Sequence, residues 1–212
     1  MNDKITNLIN AYKLLPGIGQ KNAERLAFYT LEMDLEQIEY ISSSIVDTYK
    51  QIKKCKICNN YTDNDDEICD ICLDETRNKN ILCIVEDPKI VYFMEKNKIF
   101  PGKYFVLNNL ISPIEGIGPE DIGLNSLKNM LESNNITEMI IAIKSSIEGE
   151  TTALYIKELF KNKKDELFEI ILKNNTLKNN LLGEGLTKSE AKNFEYIDNL
   201  TFEKAIEERK EI

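Results

Sequence analysis

The stretch LLPGIGQKNAERLAF, Leu14 to Phe28, ends one helical pattern and starts another within a single turn. Ile5, Leu8, Ile9, Tyr12 and Leu15 stand at helical spacing before the break, and Ala23, Leu26, Ala27 and Thr30 resume that spacing after it on a second face. Pro16 to Gly19 supply the interruption, so the segment predicts two helices joined by a tight turn, a helix-hairpin-helix. Gly17 and Gly19 permit backbone conformations closed to other residues. They also leave amides uncovered at the start of the second helix, where the helix dipole favours an anion. Lys21 and Arg25 lie one turn apart on that helix. A plain helical hairpin with glycines for close packing would also carry a G-x-G. The hydrophobic-Pro-Gly-Ile-Gly pattern, the small Ala23 and the flanking cations instead make Gly17, Gly19, Lys21 and Arg25 candidates for sequence-independent contact with a DNA backbone. A third helix is predicted from an N-cap at Asp34, with Gln37 three residues on, through Ile38, Ile41, Ile45, Tyr49 and Ile52.

The whole-chain charge runs against a nucleic-acid ligand: 36 acidic residues face 27 basic ones, with no histidine, for a formal charge of −9. The excess is uneven. Residues 1–54 hold seven acidic and seven basic side chains, whereas residues 55–83 hold seven acidic against three basic. Between positions 13 and 25, Lys13, Lys21 and Arg25 face only Glu24, a local positive patch. Salt screens charges beyond about 8 to 10 Å, so the field at the contact surface governs association with a polyanion more than the total does. A chain of 212 residues with 42% hydrophobic composition can build one large core or two small ones. No apolar run approaches the roughly 18 to 20 residues of a membrane span, and MNDKITNLIN lacks the apolar stretch of a signal peptide. The expectation is a cytoplasmic protein with no membrane partner.

Next comes CKICNNYTDNDDEICDIC, in which Cys55, Cys58, Cys69 and Cys72 form two C-x-x-C pairs. Each pair can grip a metal from one knuckle turn, and four thiolates satisfy a tetrahedral zinc ion completely. With no histidine in the chain the ligand set is all-cysteine. Two disulfides, a redox pair or an iron-sulfur cluster are the alternatives, and a cytoplasmic setting disfavours the disulfides. A closed four-thiolate site is structural, with one zinc per chain. Cys83, inside ILCIV, reads as a small core residue.

From residue 81 the pattern changes to short apolar runs alternating with helices. Strands are predicted at Ile81–Val85, Tyr104–Leu107, Met139–Ile143 and Phe168–Leu172, and helices at Pro88–Asn97, Leu124–Glu132 and Thr151–Phe160. This alternation predicts a parallel sheet flanked by helices, whose ligands collect at the carboxyl ends of strands. Glu86 and Asp87 follow the first strand, and Glu148 and Glu150 are expected in the loop after the third. Four carboxylates on one sheet edge can bind magnesium for phosphoryl chemistry or stand as a solvated acidic surface.

The order of these parts resembles the RecR family of bacterial recombination proteins. The resemblance rests on LPGIGQKNAERLAF, the four-cysteine module, CIVEDPKIVYFME, YFVLNNLISPIEGIGPEDIG and SSIEGETTALYI, and covers residues 5 to about 160. It implies an α+β multidomain chain: a helix-hairpin-helix domain over 1–54, a zinc-finger module over 55–78, a Toprim domain with a parallel sheet over 79–174, and a C-terminal oligomerisation region over 175–212. It further implies a non-catalytic DNA-binding mediator of recombinational repair, acting with RecO and RecF to load RecA onto gapped, SSB-coated DNA. Homodimers or ring-shaped homotetramers are implied as well. The acidic edge of Glu86, Asp87, Glu148 and Glu150 then becomes a surface for a basic partner protein. Two other functions fit parts of the pattern: a zinc-stabilised protein scaffold, and a magnesium-dependent Toprim nuclease or primase.

Two stretches depart from the family pattern. Lys144-Ser145-Ser146 stands where relatives carry Asn-Pro-Thr and where Toprim enzymes carry an Asp-x-Asp pair, which removes a metal platform. Near the C-terminus Gly185, Leu186, Glu195, Tyr196 and Asp198 match, while a proline and a glycine pair are absent.

Overall fold

A computed structural model describes residues 3–98, 100–133, 135–144, 146–160, 166–172 and 210–211. The chain divides into two compact units, Met1–Ile52 and Lys53–Ile212. The matching positions Gly185 to Asp198 lie outside the described residues, as does the predicted oligomerisation region apart from Lys210 and Glu211.

The first unit is three helices, α1 (Asp3–Tyr12), α2 (Gln20–Glu32) and α3 (Leu35–Gln51). Ile9, Ala23 and Ala27 are buried at the α1–α2 contact, packed against Ile5, Leu8, Tyr12 and Ile18. Two alanines at the centre let the helices approach closely. The Tyr12 hydroxyl donates to Thr30 Oγ1 at 2.6 Å, and Thr30 in turn donates to the Leu26 carbonyl. Between the helices the backbone turns through Gly17 at φ +79°, a left-handed conformation that favours glycine. Asp34 stands at the N-cap of α3 as predicted, but its side chain makes no cap hydrogen bond there.

The second unit begins with a small antiparallel ribbon, β1 (Lys53–Lys54) on β2 (Tyr61–Thr62), and the short helix α4 (Asp70–Leu73). The elements that follow are β3 (Asn78–Val85), α5 (Pro88–Lys96), β4 (Gly102–Val106), a 3₁₀ turn at Pro119–Ile122, α6 (Leu124–Ser133), β5 (Glu138–Lys144), α7 (Ile147–Phe160), β6 (Glu166–Leu172) and β7 (Lys210–Glu211). The sheet order is β4-β3-β5-β6-β7, with β3, β4, β5 and β6 mutually parallel and β7 antiparallel. All four strands read from the apolar runs are present. Cys83 lies between Tyr104 and Ile140 in register, fully buried, so it is the core residue its context predicts.

Strand residues of opposite parity feed two cores, as a sheet covered on both faces demands. Leu82, Ile84, Phe105, Ile141 and Ile143 pack with Leu127 of α6 and Ile156 of α7. Cys83, Val85, Tyr104, Ile140 and Ala142 pack with Ile90, Val91 and Met94 of α5.

Among the described residues, strand β4 bonds within the sheet on one side alone, and the cysteine module takes the other. The Val106 amide donates to the Cys58 carbonyl at 2.8 Å, and Asn59 Nδ2 donates back to the Val106 carbonyl at 3.1 Å. Lys103, 7% exposed, sends its ammonium to the carbonyls of Ile71 (2.6 Å), Cys72 (3.2 Å) and Asp74 (2.8 Å). On the same strand Tyr104 donates to Glu95 Oε1 at 2.7 Å, which also receives Arg77 at 2.6 Å. Replacing Lys103 with Met keeps the aliphatic stem but strips three carbonyls of their donor. Lys103→Met is therefore expected to lower unfolding free energy by about 3 kcal/mol in urea titrations, and a wild-type midpoint would show that the ammonium does not anchor the module.

Candidate functional sites

The two knuckles are backbone turns that force each C-x-x-C pair inward. The Cys55 amide donates to the Asn60 carbonyl at 2.7 Å, and the Asn59 amide returns to the Cys55 carbonyl at 2.9 Å. Asn59 (φ 60°) and Glu67 (φ 61°) adopt the left-handed region that such tight reversals use. The second pair opens α4, with Cys69 at its N-cap and the Cys72 and Leu73 amides donating to the Cys69 carbonyl. All four sulfurs lie within 4.8 Å of one another, with Cys58 and Cys69 at 3.5 Å and Cys55 and Cys72 at 3.9 Å.

A tetrahedral ion with sulfur ligands at about 2.3 Å spaces its sulfurs by about 3.8 Å, so the cluster has the dimensions of a metal site. The electrostatics agree. Contact with Cys58, Cys69 and Cys72 holds the Cys55 thiol below the usual range, and contact with Cys55, Cys69 and Cys72 pushes Cys58 up. One thiolate is stabilised at the expense of the next, and four can ionise together only around a cation. The five described cysteines are all free thiols, so the disulfide alternative finds no bond here. The donor set fits a structural metal ion held by Cys55, Cys58, Cys69 and Cys72.

On the helical unit, Gly17, Gly19, Lys21 and Arg25 fall at the hairpin turn and the first turns of α2, and all four are exposed. Gly19 is the N-cap of α2 and supplies no side-chain cap. Its φ of −80° is open to any residue and a Cβ there would meet no neighbour within 4 Å, so the backbone does not demand glycine at this position. Ala23 and Ala27 point into the core, which places Lys21 and Arg25 on the opposite, solvent side.

The acidic residues divide. Glu86, Asp87 and Glu148 line a cavity of about 470 Å³ at the carboxyl ends of β3 and β5, together with Asn108, Ser112, Glu115 and Lys144. Glu150 is exposed and does not line it. The expectation of a loop around Glu148 and Glu150 is corrected: both residues stand in the first turn of α7. The strand passes into the helix almost at once because Ser146 caps it, accepting from the Gly149 amide at 3.1 Å. Gly149 makes the tight passage possible, since a Cβ there would meet the Lys144 carbonyl oxygen at 2.0 Å. That requirement is invisible in the local pattern.

Each carboxylate in the cavity has a distinct environment. Asp87 caps α5, accepting from the Lys89 amide at 2.8 Å, with Pro88 in the first turn. Burial pushes the Glu86 carboxyl up, opposed by the Lys144 charge and by the Lys144 amide, which donates to Glu86 Oε2 at 3.3 Å. Glu148 is held down by its own backbone amide and the Ser146 hydroxyl. Sequence reasoning missed Asn108, Ser112 and Glu115, and read Lys144 only as a departure from the family pattern. The rule that ligands gather at the carboxyl ends of strands would have found the segment after β4 had it been applied to that strand too.

Comparison with known proteins supports this architecture. The family model for the RecR helix-hairpin-helix matches residues 5–48, and the Toprim domain model matches residues 80–168. Recombination protein RecR of Staphylococcus aureus (strain MRSA252) is 39% identical over 210 residues, covering 99% of this chain and 98% of the relative. Recombination protein RecR of Natranaerobius thermophilus is 38% identical over 208 residues, covering 98% and 96%. No helix among the described residues is long and apolar enough to cross a membrane. With these identities over nearly the full length of this chain and of each relative, and with both domain models matched in this chain, the chain belongs to the RecR family of recombination proteins.

Proposed function

We propose that this chain is a non-catalytic, DNA-binding mediator of recombinational repair that works with RecO and RecF to load RecA onto gapped, SSB-coated DNA. The observation that carries the reading is the exposed Lys21–Arg25 pair beside an uncapped helix start on one unit, while the carboxylates gather on the other. Cations and free amides suit phosphate, and an acidic cavity suits a basic protein surface. Assembly as a homodimer or ring-shaped homotetramer is favoured by α3, which has no fully buried residue and exposes Ile45, Val46 and Tyr49. Absence of catalysis is favoured within the cavity, where Asp87 is engaged as a helix cap and Lys144 brings a positive charge against Glu86.

Zinc is the metal of the four-thiol site in this reading, one ion per chain with no open coordination position. The module has few apolar side chains of its own, so the ion supplies folding free energy. Cys55→Ser or Cys72→Ser should cut stability and solubility more than any single activity, and metal analysis of the wild type should find about one zinc per chain. A folded, metal-free preparation would remove the assignment.

Backbone contact by Lys21 and Arg25 implies a salt dependence that two substitutions reduce. Lys21→Glu with Arg25→Glu should weaken binding to every DNA sequence alike and flatten the plot of log affinity against log salt by about 1.8, at about 0.9 per phosphate neutralised. Thermal melts should match the wild type because both side chains are exposed. Unchanged affinity and slope in a folded double variant would eliminate the hairpin as the DNA-binding element.

Glu148→Ala with Glu150→Ala should weaken RecO binding while DNA affinity stays level or rises slightly, as removal of charges that repel phosphate requires. Normal RecO binding by this variant would reduce the acidic edge to a solvated face.

A further inference from the structure

The cavity at the carboxyl ends of the strands has two walls from separate parts of the sequence. One is the segment after β4, which contributes Asn108, Ser112 and Glu115; the other is the start of α7, which contributes Glu148. The first wall is a small closed loop. The Ser112 amide donates to the Ile117 carbonyl at 3.1 Å, and the Ile117 amide donates back at 2.9 Å. Such a loop holds its own shape, but these bonds do not fix its distance from α7.

Thr152 spans that gap. It is 0% exposed. Its hydroxyl donates to the Glu148 carbonyl at 2.7 Å and accepts from the Ile111 amide at 2.9 Å. One oxygen therefore touches the backbone of a cavity-lining carboxylate and the backbone at the root of the opposite loop. Ile111 itself is buried against Ala153 and Ile156 of α7. A buried amide that loses its acceptor must move toward water or stay unpaired at a cost.

We propose that Thr152 is a positioning residue that sets the separation of the two cavity walls and so the fit of a basic partner side chain between Glu115 and Glu148. The consequence for partner binding rests on the reading of this cavity as the RecO surface. Valine in place of Thr152 keeps the shape and the methyl packing but removes donor and acceptor together, whereas serine keeps both.

The test compares Thr152→Val, Thr152→Ser and the Glu148→Ala, Glu150→Ala pair in the full chain, reading amide hydrogen exchange at Ile111, RecO affinity and DNA affinity. Thr152→Val should speed Ile111 exchange and weaken RecO binding, each by about tenfold, with DNA affinity unchanged. Thr152→Ser should restore both towards wild type. Wild-type exchange and RecO affinity in Thr152→Val would overturn the proposal, as would a serine variant as impaired as valine, since the methyl group and not the hydroxyl would then be responsible. Normal RecO binding by the double glutamate variant, with fast Ile111 exchange in Thr152→Val, would uphold Thr152 as the wall-setting residue and sink the cavity as the partner site.

Discussion

The outer edge of strand β4 is the constraint on which the second unit depends. An edge strand presents unpaired amides and carbonyls that either find partners within the chain or invite another chain to pair. Here the partner is the four-cysteine module, through the Cys58 carbonyl, the Asn59 side chain and the three carbonyls gathered by Lys103. The module thus covers the edge of the sheet, and the sheet gives it a surface to rest on. The four-cysteine module and the Toprim core are coupled through the Val106–Cys58 backbone bond, the Asn59 side chain and the buried Lys103 ammonium.

That coupling explains an otherwise odd choice at position 103. Lysine is almost never fully buried unless its charge is met. Carbonyls around the last turn of α4 meet it, and they belong to helix-end groups that have no partner inside so short a helix. One side chain satisfies several orphan acceptors and fixes the module against the strand.

The net charge of −9 and a nucleic-acid role are compatible because the N-terminal residues 1–54 escape the acidic excess: they balance at seven acidic and seven basic side chains, and the surplus negative charge lies beyond them. The helical unit carries the exposed cations of α2, and the second carries the acidic cavity and the acidic segment between the two cysteine pairs. Screening over about 8 to 10 Å makes the local charge at a contact surface count for more than the whole-chain total. Within the acidic segment Glu67 is itself engaged, held down by Lys56 and Lys53 at 3.1 and 3.4 Å.

The sequence by itself determined the helical hairpin, the four-thiol cluster and the strands, because each depends on local periodicity or spacing. Apolar residues at helical intervals around Pro16 to Gly19, paired C-x-x-C turns and short apolar runs are readable without knowing what they pack against. Only the tertiary structure decided the cavity. Which carboxylates converge depends on the strand order β4-β3-β5, which brings Glu86, Glu115 and Glu148 together from distant positions. The start of α7 before Glu148 depends on Gly149 meeting the end of β5, and the cavity walls depend on Thr152 reaching a loop 41 positions away. Contacts between residues so far apart leave no periodic trace, so chain order alone could place charges near strand ends but could not say which of them share a space.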